Sequence, residues 1–505
     1  MEARPGSQDR GWGVLALLAL AAMATVVFGV GRTSALLLAL LVAAVVLFSL
    51  AHRWLLDWRR QVALLILVIL FIPIQLYSLG GGLPFQLEPY RILVALIFAG
   101  WLTSLLIDPR VKGRRTGLEG PILLILVSMF VSELANRQRI ATLAVHSEVT
   151  KSITFALSFF LIVYFVVGVT RTRADVERLI EILCAGGGVL GIFAVVEYRT
   201  KYDFFAHLHS FVPILHPLWG DGPGIFRGGD VRVVASAQHP IALGGLFVML
   251  VPLAIYLAMR PGKRAWWVVA AAVIIGSISS MSRTSVVMLA GVGLVFLVMR
   301  PRQTLKAWPL ILPAMLAIQF TIPGALRSLD NAFFPSGGLI AQQNSHADYA
   351  SKNRLSRWGP TLKEWERDPL VGEGYATRQP DLHPETFVLD DQWLKTLVET
   401  GILGVLGWGW LFGRCIRRLA RRSRRERHNG GWLEVSLVAS IVSFVVGMWF
   451  YDAFSFIQVT VMLLILVALS ATLVQLDDKP LPRGALVRGR ARVRRLAGVE
   501  AEPLA

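Results

Sequence analysis

Residues 241–259 read IALGGLFVMLVPLAIYLAM, nineteen residues without a charged side chain. As a helix rising 1.5 Å per residue, this stretch would measure about 28 Å, close to the roughly 30 Å hydrocarbon core of a bilayer. Arg260, Lys263 and Arg264 follow at once. Basic residues in short loops are retained in the cytoplasm, so this one segment predicts both a transmembrane helix and its direction.

The same pattern repeats along the chain. Its 505 residues are 55% hydrophobic and 17% charged, with a mean hydropathy of +0.59, which is typical of a polytopic membrane protein. The two cysteines, Cys184 and Cys415, are too few for a disulfide framework or a cysteine zinc site. We expect an all-α chain with about 12–14 transmembrane helices. The candidate spans are 11–31, 34–51, 61–79, 89–107, 119–135, 153–170, 178–197, 241–259, 264–280, 284–299, 307–323, 392–413, 433–450 and 454–474.

The loop charges give one consistent orientation, with both termini and every Arg-rich short loop in the cytoplasm. The net charge of +18 then indicates contact with anionic lipid, and nucleic-acid binding is a poor alternative. Long loops on the outer side are the places to seek function. The predicted parts are an N-terminal bundle 1–197, a first external loop 198–240, central helices 241–323, a large external loop with short amphipathic helices 324–390, C-terminal helices 391–475 and a basic tail 476–505.

Arginines on the outer side oppose the general charge trend. Arg227 and Arg232 lie in the stretch FRGGDVR, shortly before His239-Pro240, and Arg283 lies in the tight turn SMSRT between two spans. A guanidinium binds phosphate bidentately and stays charged, so these positions are candidates for holding an anionic group at the membrane surface. The alternatives are headgroup anchoring for the first two and snorkelling for Arg283.

The large external loop carries a second group of candidates. Arg354 and Arg357 begin a stretch in which Trp358, Leu362 and Trp365 have the i, i+4, i+7 spacing of one apolar helix face. We expect a short helix on the bilayer surface, acting as a lid or as a substrate platform. The sequence PLVGEG at 369–374 should end it.

The start of the span at 392–413 is unusually charged. Asp391, Lys395 and Glu399 recur every four residues and are predicted to share one helix face, directed to a polar cavity or forming an ion-pair ladder. Asp390 and His383 lie at its mouth. A metal site at His207, His209 and His216 is disfavoured, because the aromatic residues around them are typical of an interfacial belt; we expect no metal, nucleotide or other cofactor.

In their order, Arg232 with His239-Pro240, Ser282-Arg283, Arg354 to Gly374 and Asp390-Asp391 through Gly404 resemble the O-antigen ligase and O-antigen polymerase superfamily of bacterial envelope enzymes. The likeness covers roughly 225–415. It implies a GT-C-like architecture and inverting, metal-independent glycosyl transfer from a polyprenyl-diphosphate-linked oligosaccharide to a glycan acceptor outside the cytoplasmic membrane. It also implies that Arg232 and Arg283 hold the diphosphate.

Under this likeness the base that deprotonates the attacking hydroxyl is Asp390, His383 or Asp391. Support for substrate or structure would come from His239, Arg354, Arg357, Lys395 and Glu399.

One departure from the family pattern bears on the reaction. Ligases of the family generally have His-Asn where this chain has Asp390-Asp391, and an acidic residue there is closer to the polymerase branch. A polysaccharide polymerase is therefore the leading hypothesis, and a ligase acting on a lipid or protein acceptor is the second. A transporter of an anionic lipid or solute and a non-catalytic assembly component are the remaining hypotheses. A chain-length regulator is a possible partner by resemblance.

Overall fold

The computed structural model describes residues 57–79, 88–107, 113–218, 226–227, 230–307, 309, 311–324, 327, 330, 333–334, 354–379, 389–426 and 428–477. The predicted spans 11–31 and 34–51, and most of the tail predicted at 476–505, lie outside these residues. The chain divides into two compact units, residues 1–65 and 66–505. The first contributes residues 57–65, and the cavity and ion pairs described below belong to the second.

The described residues form an all-α protein with two minimal sheets. The strands are β1 (Tyr77–Leu79), which pairs antiparallel with β2 (Leu215–Pro217), and β3 (Phe226–Arg227), which pairs with β4 (Asp230–Val231). The helices are α1 (Trp58–Phe71), α2 (Pro89–Ile107), α3 (Glu119–Ala135), α4 (Arg137–Thr142), α5 (His146–Val169), α6 (Arg173–Thr200), α7 (Pro240–Ala258), α8 (Trp266–Ser279), α9 (Arg283–Met299), α10 (Pro301–Lys306), α11 (Ile311–Thr321), α12 (Arg354–Trp365), α13 (Gln392–Arg425), α14 (Trp432–Gly447) and α15 (Ile457–Asp477).

Six of these helices are long and apolar enough to cross a membrane, namely α2, α5, α6, α7, α13 and α15, and four shorter apolar helices (α8, α9, most of α11, and α14) accompany them among the described residues. The predicted class, an all-α polytopic membrane protein, is confirmed. From 89–107 onwards each predicted span coincides with an apolar helix to within a few residues at most ends. The span 61–79 was too long: the first helix ends at Phe71, because Pro73 lacks an N–H and disfavours helix in the residue before it.

Helices α7 and α15 form the centre of the bundle. In α7 89% of its apolar window is buried and in α15 94%, against 22% in α2, which therefore lies at the periphery. A helix that is apolar all round needs such burial. Polar contacts fix the packing: Ser440 Oγ of α14 donates to the Met249 carbonyl of α7 at 2.7 Å, and Gln458 Nε2 of α15 donates to the Ile69 carbonyl at 2.9 Å.

A buried cluster of charges ties the ends of four helices together. Arg173, at the start of α6, contacts Glu426 after α13 and Glu434 of α14, both at 3.1 Å. Arg422 of α13 contacts the same two carboxylates at 3.1 and 3.2 Å. Glu177 accepts from Arg173 at 3.1 Å and from Tyr256 of α7 at 3.0 Å. We name this set the basic-end cluster; it lies at the ends of α7, α13 and α14 opposite to those that carry His239, Asp391 and Met448.

Candidate functional site

A cavity of about 580 Å³ opens between the starts of α7 and α13 and the segment that joins α14 to α15. Its aromatic and apolar side chains, which we call the apolar wall, come from α3, α5, α13, α15 and residues 454–456. Its polar side chains, which we call the polar wall, come from Gln75, His239, residues 375–379, Asp390, α13 and residues 451–455. Its lining includes Phe155, Phe159, Phe160, Met129, Trp408, Phe454, Phe456 and Leu464 on the first wall, and Gln75, His239, Tyr375, Arg378, Gln379, Asp390, Gln392, Lys395, Glu399, Tyr451 and Asp452 on the second.

Lys395 and Asp452 form the central ion pair of the polar wall. Lys395 Nζ lies 2.7 Å from Asp452 Oδ2, which also accepts from Ser455 Oγ at 2.5 Å. Glu399, one turn after Lys395, lines the same cavity and is 3% exposed. Of the predicted stripe Asp391, Lys395 and Glu399, the last two line this cavity and Asp391 does not. The partner of Lys395, however, is Asp452 rather than a residue of its own helix.

A break in α13 brings the large-loop motif to this wall. Gly401 has φ 65° and ψ −166°, a conformation open only to glycine, and it interrupts the helix. Residues 369–374 lie against the break: Ile402 N donates to the Pro369 carbonyl at 3.0 Å, and Glu373 N donates to the Val398 carbonyl at 2.8 Å. A Cβ on Gly401 would collide with the Leu370 carbonyl, and one on Gly372 would collide with that of Val398. The glycines of both motifs therefore allow one close backbone contact.

Arg378 anchors the same loop through a row of charges. Its Nη1 contacts Glu364 Oε2 of α12 at 2.6 Å and Glu373 Oε1 at 2.8 Å, and Arg139 of α4 contacts the other oxygen of Glu373 at 2.6 Å. Burial alone would lower the pKa of Arg378, but the two carboxylates outweigh it and raise that pKa. Next to it, burial raises the pKa of the Tyr375 phenol, and Glu399 adds to the effect. Arg378 therefore stays charged and holds the loop against α4 and α12.

The two neighbouring aspartates have different environments. Asp391 is the N-cap of α13: it is 5% exposed and its Oδ1 accepts from Leu394 N at 3.0 Å. Such a cap satisfies an N–H that the helix leaves unpaired. Asp390 is more exposed and lines the cavity. Of the predicted bases, Asp390 therefore has access to the cavity, Asp391 has a capping role, and His383 lies outside the described residues.

Arg232 and Arg283 lie beside the cavity instead of in it. Arg232 is 6% exposed, and its Nε donates to the Ser280 carbonyl at 3.3 Å, three residues before Arg283 begins α9. A Cβ on Gly244 of α7 would lie 2.7 Å from Ser280 Oγ, and one on the next residue, Gly245, would lie 3.0 Å from the hydroxyl oxygen of Tyr451. Gly244 and Gly245 are adjacent in α7, so the Arg232 and Ser280 contact lies close to the cavity wall at Tyr451.

The structure brings together some predicted residues and not others. His239, Asp390, Lys395 and Glu399 line one cavity. Arg357 is buried in α12, where it is 8% exposed. The backbones of Arg227 and Arg354 are described, in β3 and α12, but their side chains are not.

Several lining residues were missed from the sequence, among them Arg378, Tyr451 and Asp452. The sequence could have indicated two of these residues. Asp452 is a charged residue between two apolar runs, and Arg378 is one more arginine on the predicted outer side.

The sequence model of the O-antigen ligase family matches residues 268–409. This range contains α8, α9, α12, the loop at 369–379 and the first part of α13, and so most of the polar wall of the cavity. A search of curated proteins finds no match to the chain. This match to the O-antigen ligase family over residues 268–409 supports a place for the chain in the O-antigen ligase and O-antigen polymerase superfamily.

Proposed function

We propose that this protein is an integral-membrane glycosyltransferase of GT-C-like architecture that extends a glycan carried on a polyprenyl diphosphate. The observation that carries the proposal is the cavity of about 580 Å³ with one aromatic wall and one charged wall, the latter built largely from the O-antigen ligase domain. A substrate with a lipid tail and a sugar head needs both kinds of surface. Apolar walls with a few placed polar groups are typical of ligand sites.

The diphosphate would bind at Arg232 and Arg283. In the reaction a sugar hydroxyl attacks the anomeric carbon, the bond from that carbon to the diphosphate oxygen breaks, and the diphosphate leaves with the bonding electrons. Fixed guanidinium groups stabilise this developing negative charge, so the reaction needs no metal. The Arg232 and Ser280 contact lies beside the cavity wall, which supports binding of the diphosphate there and of the sugar in the cavity.

Asp390 is the base that we propose for the attacking hydroxyl. It lies at the cavity, and its carboxylate would take the hydroxyl proton as the glycosidic bond forms, with inversion at the anomeric carbon. His383 is the alternative base. The capping contact of Asp391 with Leu394 N makes Asp391 the weakest of the three candidates.

The acidic pair Asp390-Asp391, where ligases generally have His-Asn, favours a polymerase over a ligase. We place the enzyme in the bacterial cytoplasmic membrane with both termini inside and the cavity facing outside. The basic-end cluster and the basic loop at 260–264 lie at the opposite ends of the helices that open the cavity, and the positive-inside rule assigns those ends to the cytoplasm.

The test is reconstitution of the purified chain with a lipid-linked oligosaccharide and analysis of product length by mass spectrometry. We expect wild type to give a ladder of products and Arg232→Ala, Arg283→Ala and Asp390→Asn to give none. Arg264→Ala is the matched control, because this arginine is exposed in the loop that we assign to the cytoplasm.

Single addition of a glycan to a separate acceptor would favour the ligase. If Arg283→Ala elongates the glycan as well as wild type does, that arginine does not belong to the diphosphate site. If the ladder is lost in His383→Ala but kept in Asp390→Asn, the base is His383 and not Asp390.

A further inference from the structure

Two carboxylates at the cavity, buried Glu399 and half-buried Asp452, have oxygens that the described residues leave without a hydrogen bond. Glu399 is 3% exposed, and its Oε1 accepts none. Asp452 uses Oδ2 for Lys395 and Ser455, while its Oδ1 accepts none. A buried polar atom without a partner costs about 1–3 kcal/mol, so such atoms at a cavity point to a ligand that supplies the partner.

The chemistry of the three side chains limits what this ligand is. Ionised carboxylates only accept hydrogen bonds, so the ligand group must donate to Glu399 and Asp452. The ammonium of Lys395 has three N–H donors, one of which is directed to Asp452 at 2.7 Å, so the ligand must also offer acceptors. Hydroxyl groups do both. The rings of Phe454 and Trp408, stacked with centroids 4.3 Å apart, line the same cavity and supply apolar surface for the carbon face of a sugar ring.

The charges of the described lining residues oppose an anionic ligand at this position. Among those residues the carboxylates are Asp390, Glu399 and Asp452, against Lys395 and Arg378. Arg378 is engaged by Glu364 and Glu373, outside the lining, so it adds little net positive charge. A ligand carboxylate or phosphate brought next to Asp390 and Asp452 would be repelled by like charges in a partly dry site.

We propose that Glu399, Asp452 and Lys395 form a subsite for an uncharged, hydroxyl-bearing sugar ring and that this subsite rejects uronic acids. The inference rests on the proposed function, because it names the class of sugar that the same cavity takes. It also gives the two parts of the substrate different sites. The sugar hydroxyls bind at α13 and residue 452, and the diphosphate binds at Arg232 and Arg283.

The experiment is saturation-transfer NMR on the full chain in lipid nanodiscs, which requires no turnover. The probes are a panel of neutral di- and trisaccharides, including maltotriose and diacetylchitobiose, and digalacturonic acid as the anionic member. We expect saturation of at least one neutral probe and none of digalacturonic acid on wild type. Glu399→Gln and Asp452→Asn should each weaken binding of the neutral probe about tenfold, the effect of losing roughly 1.4 kcal/mol from a hydrogen bond to a charged group.

The variants also give a readout that a purely structural role would not move. Removing one negative charge should raise binding of digalacturonic acid relative to the neutral probe in Glu399→Gln. The matched control is Glu366→Gln, an exposed carboxylate in the loop after α12, which should behave as wild type. If one variant fails to fold, the other variant and the binding of the saccharide panel to wild type still test the subsite.

Three results would overturn the subsite: binding of digalacturonic acid to wild type as strong as that of the neutral probes, no binding of any probe, or unchanged binding in both variants. Product elongation is measured separately, with the reconstituted assay above. Elongation with wild-type behaviour of Glu399→Gln in the NMR experiment would refute the subsite and leave the polymerase standing. Sugar binding that depends on Glu399, without any glycosidic bond formed, would refute the polymerase instead.

Discussion

Replacing Gly401 by alanine should destabilise the protein more than the same change at Gly409, later in α13. The backbone at φ 65° and ψ −166° costs a residue with a Cβ about 1–3 kcal/mol. The new methyl group would also collide with the Leu370 carbonyl and separate the two chains, which weakens the bond from Ile402 N to the Pro369 carbonyl, worth about 0.5–1.5 kcal/mol. Together these terms give a loss of about 2–4 kcal/mol in the free energy of unfolding.

Gly409→Ala is the matched control on the same helix. A Cβ at Gly409 meets no atom within 4 Å, so alanine there should leave stability unchanged or raise it by up to about 1 kcal/mol through its greater helix propensity. The assay is SDS titration of the protein in mixed micelles, with unfolding followed by tryptophan fluorescence. Equal unfolding free energies for the two variants would refute the role assigned to the break at Gly401.

Four further changes test individual side chains. Asp391→Ala should lower the free energy of unfolding by about 0.5–2 kcal/mol through loss of the N-cap, whereas Asp390→Asn should leave stability alone and stop elongation; the reverse pattern would contradict their assignment. Arg378→Gln removes the buried partner of Glu364 and leaves Glu373 with Arg139 alone, so it should cost about 1–3 kcal/mol, and a thermal midpoint like that of wild type would disprove the anchor. Tyr451→Phe removes a buried hydroxyl that no described residue bonds, so the SDS titration should show equal or higher stability; a marked loss would reveal a partner for that hydroxyl.

Hydropathy predicted the helical spans because the bilayer imposes both length and composition on a helix. The same rule explains where the prediction was short. The span drawn at 392–413 stopped at the first arginines, yet the helix continues to Arg425, because outside the hydrocarbon an Arg-rich stretch remains a good helix former and Arg422 is held by Glu426 and Glu434. Hydropathy carries no information about that continuation.

Periodicity in the sequence predicted only the part of the candidate site whose residues are neighbours along one helix. The spacing of Lys395 and Glu399 is a property of α13 alone, so it could be read from four-residue periodicity. The pairing of Lys395 with Asp452 depends on how the segment after α14 folds back over α13, which no local pattern encodes. The contact between Gly372 and Val398 is similar. The sequence shows the glycines, but the close backbone contact that requires them forms only when the two segments meet in the fold.

The basic-end cluster also has a consequence for biosynthesis. Arg173 is translated 253 residues before Glu426 and 261 before Glu434, which at 5–20 residues per second corresponds to a delay of roughly 13–50 s. During that interval Glu177 is the carboxylate of the cluster that already accompanies Arg173. The arginine therefore remains near the aqueous surface until α13 and α14 arrive, and the helix ends close together only when the chain is almost complete. A chain truncated before Glu426 should thus keep the charge of Arg173 exposed to water.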